Sequence, residues 1–448
     1  MPRLALVHDY LLVLRGAERT FAALAAGACL VAAAPAASTP AVTPKSAVAF
    51  RDSVGVATHI GYYDTAYGNW PRLVARLDAL GVRHLRDGVY GNPSPQAAES
   101  NRRYFEAVDL AAAHGMRFTF IMGGGGDTGT LGQLIDVVSG RLRHATEALE
   151  APNEVDKYAG GPRWASRLAA YTRRLYRQVK ANRALRRLPI LAPSLATYGA
   201  ERQLGDQRKW LDLGNVHPYT GGESPDPVHL HSALAEASRV SGPHKPIWAT
   251  EAGYHNALKH RTDGQAPVSE HAGAVYLLRT FLEHFHDGIR RTYAYELIDE
   301  LPEPRRRDPE QHFGLLRNDY SPKPAYRALR NLLTLVGHEG RRPRLRPLRL
   351  SVSGAGPDVR RLVLQKADGT YLIALWRTAS IWDTSRRRGL RVPPRTLTVT
   401  LPGARRVRLA DPVTSPAARR LVLREQRVHV GVGGKPVILM VKRTPRAG

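Results

Sequence analysis

Residues 246–256 read PIWATEAGYHN and residues 149–158 read LEAPNEVDKY, and in each a short apolar run gives way within a few residues to a carboxylate, Glu251 in the first and Glu154 in the second. Apolar runs this short, followed by Pro, Asn or Gly, read as buried strands that end in loops. Six further runs of the same kind lie around them, at 53–59, 82–87, 117–122, 189–193, 215–217 and 291–297, so that with 145–150 and 246–250 the count reaches eight. Between them stand helical segments such as WPRLVARLDALG from Trp70, NRRYFEAVDLAAAHG from Asn101, WASRLAAYTRRLYRQVKANRAL from Trp164 and HAGAVYLLRTFLEHFHDG from His271. Each carries apolar residues at three-to-four spacing. Strands alternating with helices predict βα units and a parallel sheet, and eight units predict a (β/α)8 TIM barrel whose chemistry sits at the C-terminal ends of its strands.

The strand ends are where chemistry-bearing residues stand. Arg86 closes the second strand in HLRDG, Asn153 and Glu154 follow the fourth, His217 and Tyr219 follow the sixth in NVHPYTGG, and Glu251 follows the seventh. His59 and Tyr62 close the first, and Tyr295 and Glu296 close the eighth. Cleavage of a glycosidic bond needs one carboxylic acid to protonate the leaving oxygen and a second on the opposite face of the sugar, as nucleophile in retaining enzymes. Two glutamates on strand ends three apart meet that need. An Asn beside the acid suits the sugar 2-hydroxyl, a hydrogen bond that strengthens in the transition state. Blander readings stand beside these: Arg86 pairing with Asp87 or a neighbouring strand, His59 as a core histidine, and Glu296 or Asp299 as a capping or loop carboxylate.

With these residues in place, the sequence resembles the clan A glycoside hydrolases, a superfamily of retaining enzymes that includes cellulases, mannanases and xylosidases. The resemblance implies that Glu154 is the acid/base and Glu251 the nucleophile. It also implies that Arg86 supports the nucleophile and that His217 and Tyr219 take the His/Tyr positions beside it, with Tyr219 hydrogen-bonded to Glu251. One departure concerns the sugar platform: many clan members carry a Trp after strand eight, where this chain reads TYAYELIDE. Tyr295, Trp70 and Tyr254 are the aromatic alternatives, and Trp248 is expected to pack. The Gly123 to Gly126 run with Asp127 lacks the GKS/T of a phosphate loop and is expected to give room beside a bulky ligand. No metal and no cofactor are expected.

HFGLLRNDYSPKPAYRALRNLL, 312–333, resembles the last barrel segment of the same clan. Beyond it the pattern changes to alternating strands, LRLSVSG, RRLVLQKADGTYLIALWR, TLTVTLP, RVRLADP, RLVLREQRVHVGV and KPVILMVKR, with a hairpin signal at Asp368-Gly369. These predict a small all-β sandwich. The chain of 448 residues is thereby divided into a leader and linker at 1–45, a barrel at 46–340 and a β-sandwich at 341–448.

The net charge of +27 is unevenly placed, because residues 341–448 alone carry +20, with 25 Lys/Arg against 5 Asp/Glu. Such a field attracts polyanions without specifying one. An anionic glycan, a cell envelope or an arginine-rich composition without a partner each accommodates it, and nucleic acid is not expected. Trp376 and Trp382 are the candidates for glycan contact on this domain, although Trp376 lies in an apolar run that points to burial.

The single cysteine, Cys29, excludes an internal disulfide and a cysteine-based zinc site. From Phe21 an apolar stretch follows Arg15 and Arg19 and ends in small residues including Ala34-Pro35-Ala36, the layout of a secretory signal. Cleavage is expected near Ala36 or Ala37, and a lipoprotein anchor at Cys29 fits less well because of Ala26. The first 24 residues resemble the opening of GT-B-type glycosyltransferases, with a start codon placed too early as the plainer account. The expectation is therefore an exported or envelope-associated monomeric glycosidase acting on a carbohydrate, with no membrane span in the mature chain. The competing reading is a catalytically idle barrel that binds glycan or an anionic polymer through its basic sandwich.

Overall fold

The computed structural model describes residues 39–91, 94–123, 131–159, 161–261, 264–337 and 342–443. The signal-like stretch, Cys29, the GT-B-like opening and Gly124 to Asp127 lie outside the described residues.

Eight parallel strands form one sheet: β1 (Val54–Ala57), β2 (His84–Gly88), β3 (Arg117–Ile121), β4 (Thr146–Glu150), β5 (Ile190–Leu191), β6 (Gly214–Val216), β7 (Ile247–Ala252) and β8 (Arg291–Ala294). Their order is β5-β4-β3-β2-β1-β8-β7-β6, and a parallel bridge from Leu191 to Leu213 brings the two edges together. The result is a (β/α)8 barrel. Its outer layer is α1 (Trp70–Leu80), α2 (Ala98–Ala113), α3 (Leu131–Ser139), α4 (Trp164–Ala181), α5 (Ala200–Leu204), α6 (Pro227–Ser241), α7 (Glu270–His286) and α8 (Pro324–Val336). Local chemistry sets several of their starts: Asn69 and Asp226 cap α1 and α6 with their side chains, and proline opens both helices. The barrel interior is packed. A Cβ at Gly55 would lie 2.4 Å from the Tyr293 ring, and the Tyr293 hydroxyl reaches across to Thr119 Oγ1 at 2.7 Å.

Two of the strands that matter for the site are irregular. The β3–β4 register skips Glu147, and the β7–β8 register spends three steps on β7 (Ala249 to Ala252) against two on β8. Such bulges re-aim side chains, and they fall beside Glu150 and beside Thr250 and Glu251.

The C-terminal strands form two facing sheets. One contains β9 (Ser351–Ser353), β12 (Arg395–Thr400) and β15 (Arg427–Val432). The other contains β10 (Val359–Gln365), β11 (Tyr371–Arg377), β13 (Ala404–Asp411), β14 (Ser415–Arg420) and β16 (Val437–Arg443). Lys45–Ser46 joins β10 in parallel, and Ala41–Val42 pairs with Leu348–Arg349, so the chain just before the barrel contributes to the sandwich sheets. The sandwich lies on α7 and α8. This explains why α7 is buried from Ala272 through His284 without an exposed face: one side meets the barrel and the other the sandwich. Trp376 Nε1 donates to Glu283 Oε2 at 2.9 Å and Asn331 Nδ2 donates to the Pro412 carbonyl at 3.0 Å.

Two expectations are corrected here. Trp382, a candidate for glycan contact, is buried against α7 with Nε1 donating to the Pro267 carbonyl at 3.0 Å. Trp70, a candidate sugar platform, is buried at the start of α1 with Nε1 on the Ala107 carbonyl at 2.6 Å. Both indoles pack between elements, where neither can receive a ligand.

Candidate active site

Arg86, at the end of β2, organises one half of the barrel mouth. Its Nε and Nη2 donate to the two oxygens of Glu150 at 2.7 and 2.8 Å, its Nη1 donates to Glu251 Oε1 at 2.6 Å, and Nη2 also donates to Asn153 Oδ1 at 2.7 Å. The guanidinium therefore links the ends of β4 and β7. Burial alone would make it easier to deprotonate, but Glu150 and Glu251 raise its pKa above the ordinary arginine value. Glu150 is fully buried and also accepts from Asn215 Nδ2 at 3.0 Å and Thr250 Oγ1 at 3.2 Å. This two-oxygen salt bridge fixes the guanidinium plane.

Glu251 is held from both sides. Besides Arg86, the Tyr219 hydroxyl donates to its Oε2 at 2.7 Å. Burial pushes the carboxyl up, but the charges of His217 and Arg86 and the hydrogen bonds from Tyr219 and Arg86 prevail and hold it at about 2. It is an anion across the neutral range.

Glu154 is reached by a backbone turn. Its φ of 45° lies in the left-handed region, which is uncommon for a residue with a side chain and concentrates at functional positions. Its N–H donates to the Ser194 carbonyl at 3.1 Å, and its own carbonyl accepts from Lys157 and Tyr158. The side chain meets His217 Nδ1 at 2.7 Å through Oε1. His217 Nε2 lies 2.9 Å from Thr250 Oγ1. Burial disfavours charge on this ring, yet Glu251 and the hydrogen bond to Glu154 raise its pKa above the ordinary histidine value. Asn153 takes Arg86 and the Ser194 hydroxyl on Oδ1, the latter at 2.8 Å, and its Nδ2 has no protein partner among the described residues.

The sequence-derived residues thus divide into two groups. Arg86, Asn153, Glu154, His217, Tyr219 and Glu251 converge on one network. His59, Tyr295 and Glu296 form a second, beside it. There His59 Nδ1 lies 2.8 Å from Glu300 Oε1 and 3.1 Å from Glu296 Oε2, and Tyr67 donates to Glu296 Oε2 at 2.9 Å. Glu296 is fully buried, and its Oε1 has no hydrogen-bond partner among the described residues. Burial pushes it up to about 7 despite His59 and Tyr67. Next to it, burial also pushes Asp87 up to about 6, although it accepts from Thr58 Oγ1 at 2.6 Å and Ile60 N at 2.9 Å. Tyr295 donates to Glu310 at 3.0 Å. The close passage of β7 and β8 here depends on Gly253, where a Cβ would lie 2.2 Å from the Tyr295 carbonyl oxygen.

Other expected residues fall elsewhere. Tyr254, a candidate platform, packs at 5.4 Å from Tyr276 against the cluster that holds Trp382, with its hydroxyl accepting from Thr220 Oγ1 at 3.0 Å. Asp299 pairs with the buried Lys323 at 2.8 Å, a loop-holding role. Trp248 packs under the Arg291 guanidinium at 4.4 Å. Glu150, Asn215, Thr250 and Ser194 were not singled out from sequence. One signal pointed to the first: a glutamate ending an apolar strand, two strands from the one that carries arginine near its end.

The histidine–carboxylate groups His59/Glu296/Glu300 and Glu154/His217/Glu251 each bring ligand-type atoms within 4.8 Å of one another, as does Glu283/His286/Asp287 at the sandwich contact. In all three the histidine nitrogen already meets a carboxylate.

The architecture defined by these elements is that of a (β/α)8 barrel with an appended β-sandwich and a mouth lined by paired acids. The same fold occurs in known glycoside hydrolases. A monomeric beta-xylosidase from Caulobacter crescentus CB15 matches with a TM-score of 0.59 at 14% identity, over 90% of this chain and 98% of its own. A family 51 alpha-L-arabinofuranosidase from Bifidobacterium longum matches with a TM-score of 0.57 at 11% identity, over 90% of this chain and 97% of its own. No family model and no curated protein matches the sequence.

Proposed function

We propose that the chain is a retaining glycoside hydrolase that cleaves an O-glycosidic bond of a poly- or oligosaccharide, with Glu154 as acid/base and Glu251 as nucleophile. The observation that carries this reading is the close approach of the two acids: a carboxylate oxygen of each and the Nδ1 of His217 lie within 4.8 Å of one another. Double displacement uses carboxyl groups about 5 to 5.5 Å apart, a spacing that this oxygen-to-oxygen approach permits. The fold likeness to glycoside hydrolases supports the same reaction class.

The chemistry follows from the charge states. Glu251, ionised and oriented through both oxygens, attacks the anomeric carbon while Glu154 gives its proton to the departing oxygen. A glycosyl ester forms as the glycosidic bond breaks. Glu154, now a carboxylate, takes a proton from the incoming water as general base. Water oxygen bonds to the anomeric carbon, and Glu251 leaves as carboxylate. Asn153, its Oδ1 fixed by Arg86 and Ser194, presents Nδ2 to the sugar, where a 2-hydroxyl would accept.

The test is a pair of variants with a stereochemical readout. Glu251→Gln abolishes turnover and leaves the fold intact, and Glu154→Gln retains hydrolysis only of aryl glycosides with good leaving groups. The first-formed product keeps the anomeric configuration of the substrate by NMR. Inverted product, or wild-type rates in both variants, overturns the proposal and favours a binding role.

A further inference from the structure

Exposed aromatic side chains are distributed in a way that packing does not require. Among the described residues they are Tyr62, Tyr63, Tyr158 and Tyr198, at 40%, 41%, 66% and 83% exposure. All four stand in segments that follow the C-terminal ends of barrel strands, the first two after β1, Tyr158 at the end of the short helix Val155–Tyr158 after β4, and Tyr198 after β5. The outer helices and the sandwich carry none. An apolar ring left in water costs free energy that burial would recover, so four of them gathered at one mouth mark a surface meant to be covered.

Their placement brackets the carboxylate pair. A continuous chain of ring contacts crosses the mouth. Tyr62 stacks on His59 with centroids 4.9 Å apart, His59 meets Tyr295 at 5.6 Å, and Tyr295 meets Phe313 at 5.3 Å. Phe313 meets Tyr219 at 6.1 Å and Tyr219 meets His217 at 6.4 Å, where Glu154 begins. Tyr62 therefore stands at one end of the line and Glu154 at the other. Tyr158 lies one helical turn beyond Glu154. It is tied to the Tyr198 loop through Asp156, which accepts from Ala196 N at 3.1 Å and Thr197 N at 2.6 Å. A cavity lined by Leu195, Tyr198, His217, Tyr219 and His229 opens there, with a volume of about 210 Å³.

We propose that the mouth holds an extended glycan across the carboxylate pair and that the bond cut is internal. Tyr158 and Tyr198 are platforms for the rings beyond the leaving oxygen, and Tyr62 for the ring before it, whereas the Tyr63 ring meets the Arg103 guanidinium of α2 at 5.5 Å. The sides follow from chemistry: the acid must touch the leaving oxygen, so the departing part of the chain lies beside Glu154. Pyranose rings with equatorial substituents present C–H faces that stack on tyrosine, which points to a neutral β-linked polysaccharide as the substrate class. This inference rests on the proposed double displacement and adds the length and position of the substrate to it.

The experiment uses the full chain and hexasaccharides of β-1,4-xylan, β-1,4-mannan, β-1,4-glucan and β-1,3-glucan labelled at the reducing end, with aryl glycosides of the same sugars in parallel. Wild-type first products contain two or more units from each end. Tyr158→Ala and Tyr198→Ala lower the ratio of hexasaccharide to aryl glycoside kcat/KM by about tenfold, the scale of one aromatic contact. They also shift the cut toward the reducing end. Tyr62→Ala shifts it the opposite way, which a loss of stability could not do, and Tyr63→Ala leaves the pattern unchanged. Aryl glycoside turnover with only terminal units released, or one cleavage pattern in all variants, overturns the cleft and leaves the double displacement standing. Turnover of neither substrate type overturns both.

Discussion

The two halves of the barrel mouth bury acids under opposite electrostatic conditions. On the β2/β4/β7 side, Glu150 and Glu251 share the Arg86 guanidinium, and Glu251 stays at about 2 although it is buried. Toward β1 and β8, Glu296 and the β2 residue Asp87, which accepts from Thr58 and Ile60, are equally deep but have only His59 as a cationic neighbour among the described residues, and burial pushes Asp87 to about 6 and Glu296 to about 7. One fixed multidentate cation separates the halves. An arginine keeps its charge at any working pH, so Glu251 beside it is an anion ready for nucleophilic work. His59 is held above the ordinary histidine value by Glu296 and Glu300, yet one imidazolium does not offset the burial of Glu296 and Asp87. A carboxylate that must attack at neutral pH belongs to the first environment, whereas the second is suited to hydrogen-bonding a neutral sugar.

The largest expected effect comes from removing the cation that makes the difference. Arg86→Met strands Glu150 and Glu251 as buried anions, and breaking a buried ion pair from one side costs about 3–5 kcal/mol. Denaturant midpoints measure that loss. The kcat/KM should fall about a hundred- to a thousandfold, by analogy with losing a buried charge-stabilising donor. Activity requires ionised Glu251, so losing Arg86 raises its pKa and moves the acid limb of the pH profile to higher pH. An unmoved limb would show that His217 and Tyr219 suffice, and the contrast between the halves would not depend on arginine.

The next effect, about 3 kcal/mol, belongs to Glu296→Gln. The folded-state pKa of Glu296 is raised, from 4.5 to about 7. Its contribution to stability is therefore fully present below pH 4.5 and lost as pH rises through 7. His59, whose pKa is also raised against burial by Glu296 and Glu300, acts in the same direction. The wild type should lose stability between pH 4 and pH 8, and the variant should lose about 3 kcal/mol less, read from denaturation at both pH values. Parallel pH curves would mean that Glu296 titrates alike in the folded and unfolded chain.

Much of this contrast was legible in the sequence, and the part that was not has a geometric cause. Arg86, Asn153, Glu154, His217, Tyr219 and Glu251 could be placed because each follows an apolar run, and a barrel brings strand ends together wherever they lie in the chain. Glu150 and Thr250 could not. Strict alternation puts Glu147 and Glu150 on opposite faces, yet Glu147 meets His84 while Glu150 meets Arg86, two residues of like parity on regular β2. The skip at Glu147 supplies the extra step. In the same way the bulge on β7 lets adjacent Thr250 and Glu251 both serve the site. The aromatic assignments failed for a different reason. Trp70 and Trp382 are buried by elements remote in sequence, Ala107 and Pro267 respectively, and no local pattern distinguishes an indole so covered from one left open.

Within the arginine half, Tyr219→Phe is the next probe. A hydrogen bond to a charged acceptor contributes about 1.5–3 kcal/mol, so kcat/KM should fall about 10- to 100-fold. The Tyr219 bond lowers the pKa of Glu251, so the acid limb again moves up, by less than in Arg86→Met. A larger shift than Arg86→Met would make tyrosine, not arginine, the group that separates the halves.

The smallest effect, about 1 kcal/mol, tests the histidine half through its single tyrosine donor. Burial and the charge of Glu296 push the Tyr67 hydroxyl well above the usual tyrosine range, so it remains protonated and donates to Glu296 Oε2. That bond favours the ionised carboxylate. Tyr67→Phe removes it, and Glu296 should titrate still higher than in the wild type. The variant therefore loses more stability at pH 8, where an anion is left with one donor fewer, than at pH 4, where the carboxyl is neutral. Tyr67→Phe should steepen the same pH dependence that Glu296→Gln flattens. An equal loss at both pH values would mean that Glu296 does not change its charge in this range, and the two halves of the mouth would differ in geometry but not in protonation.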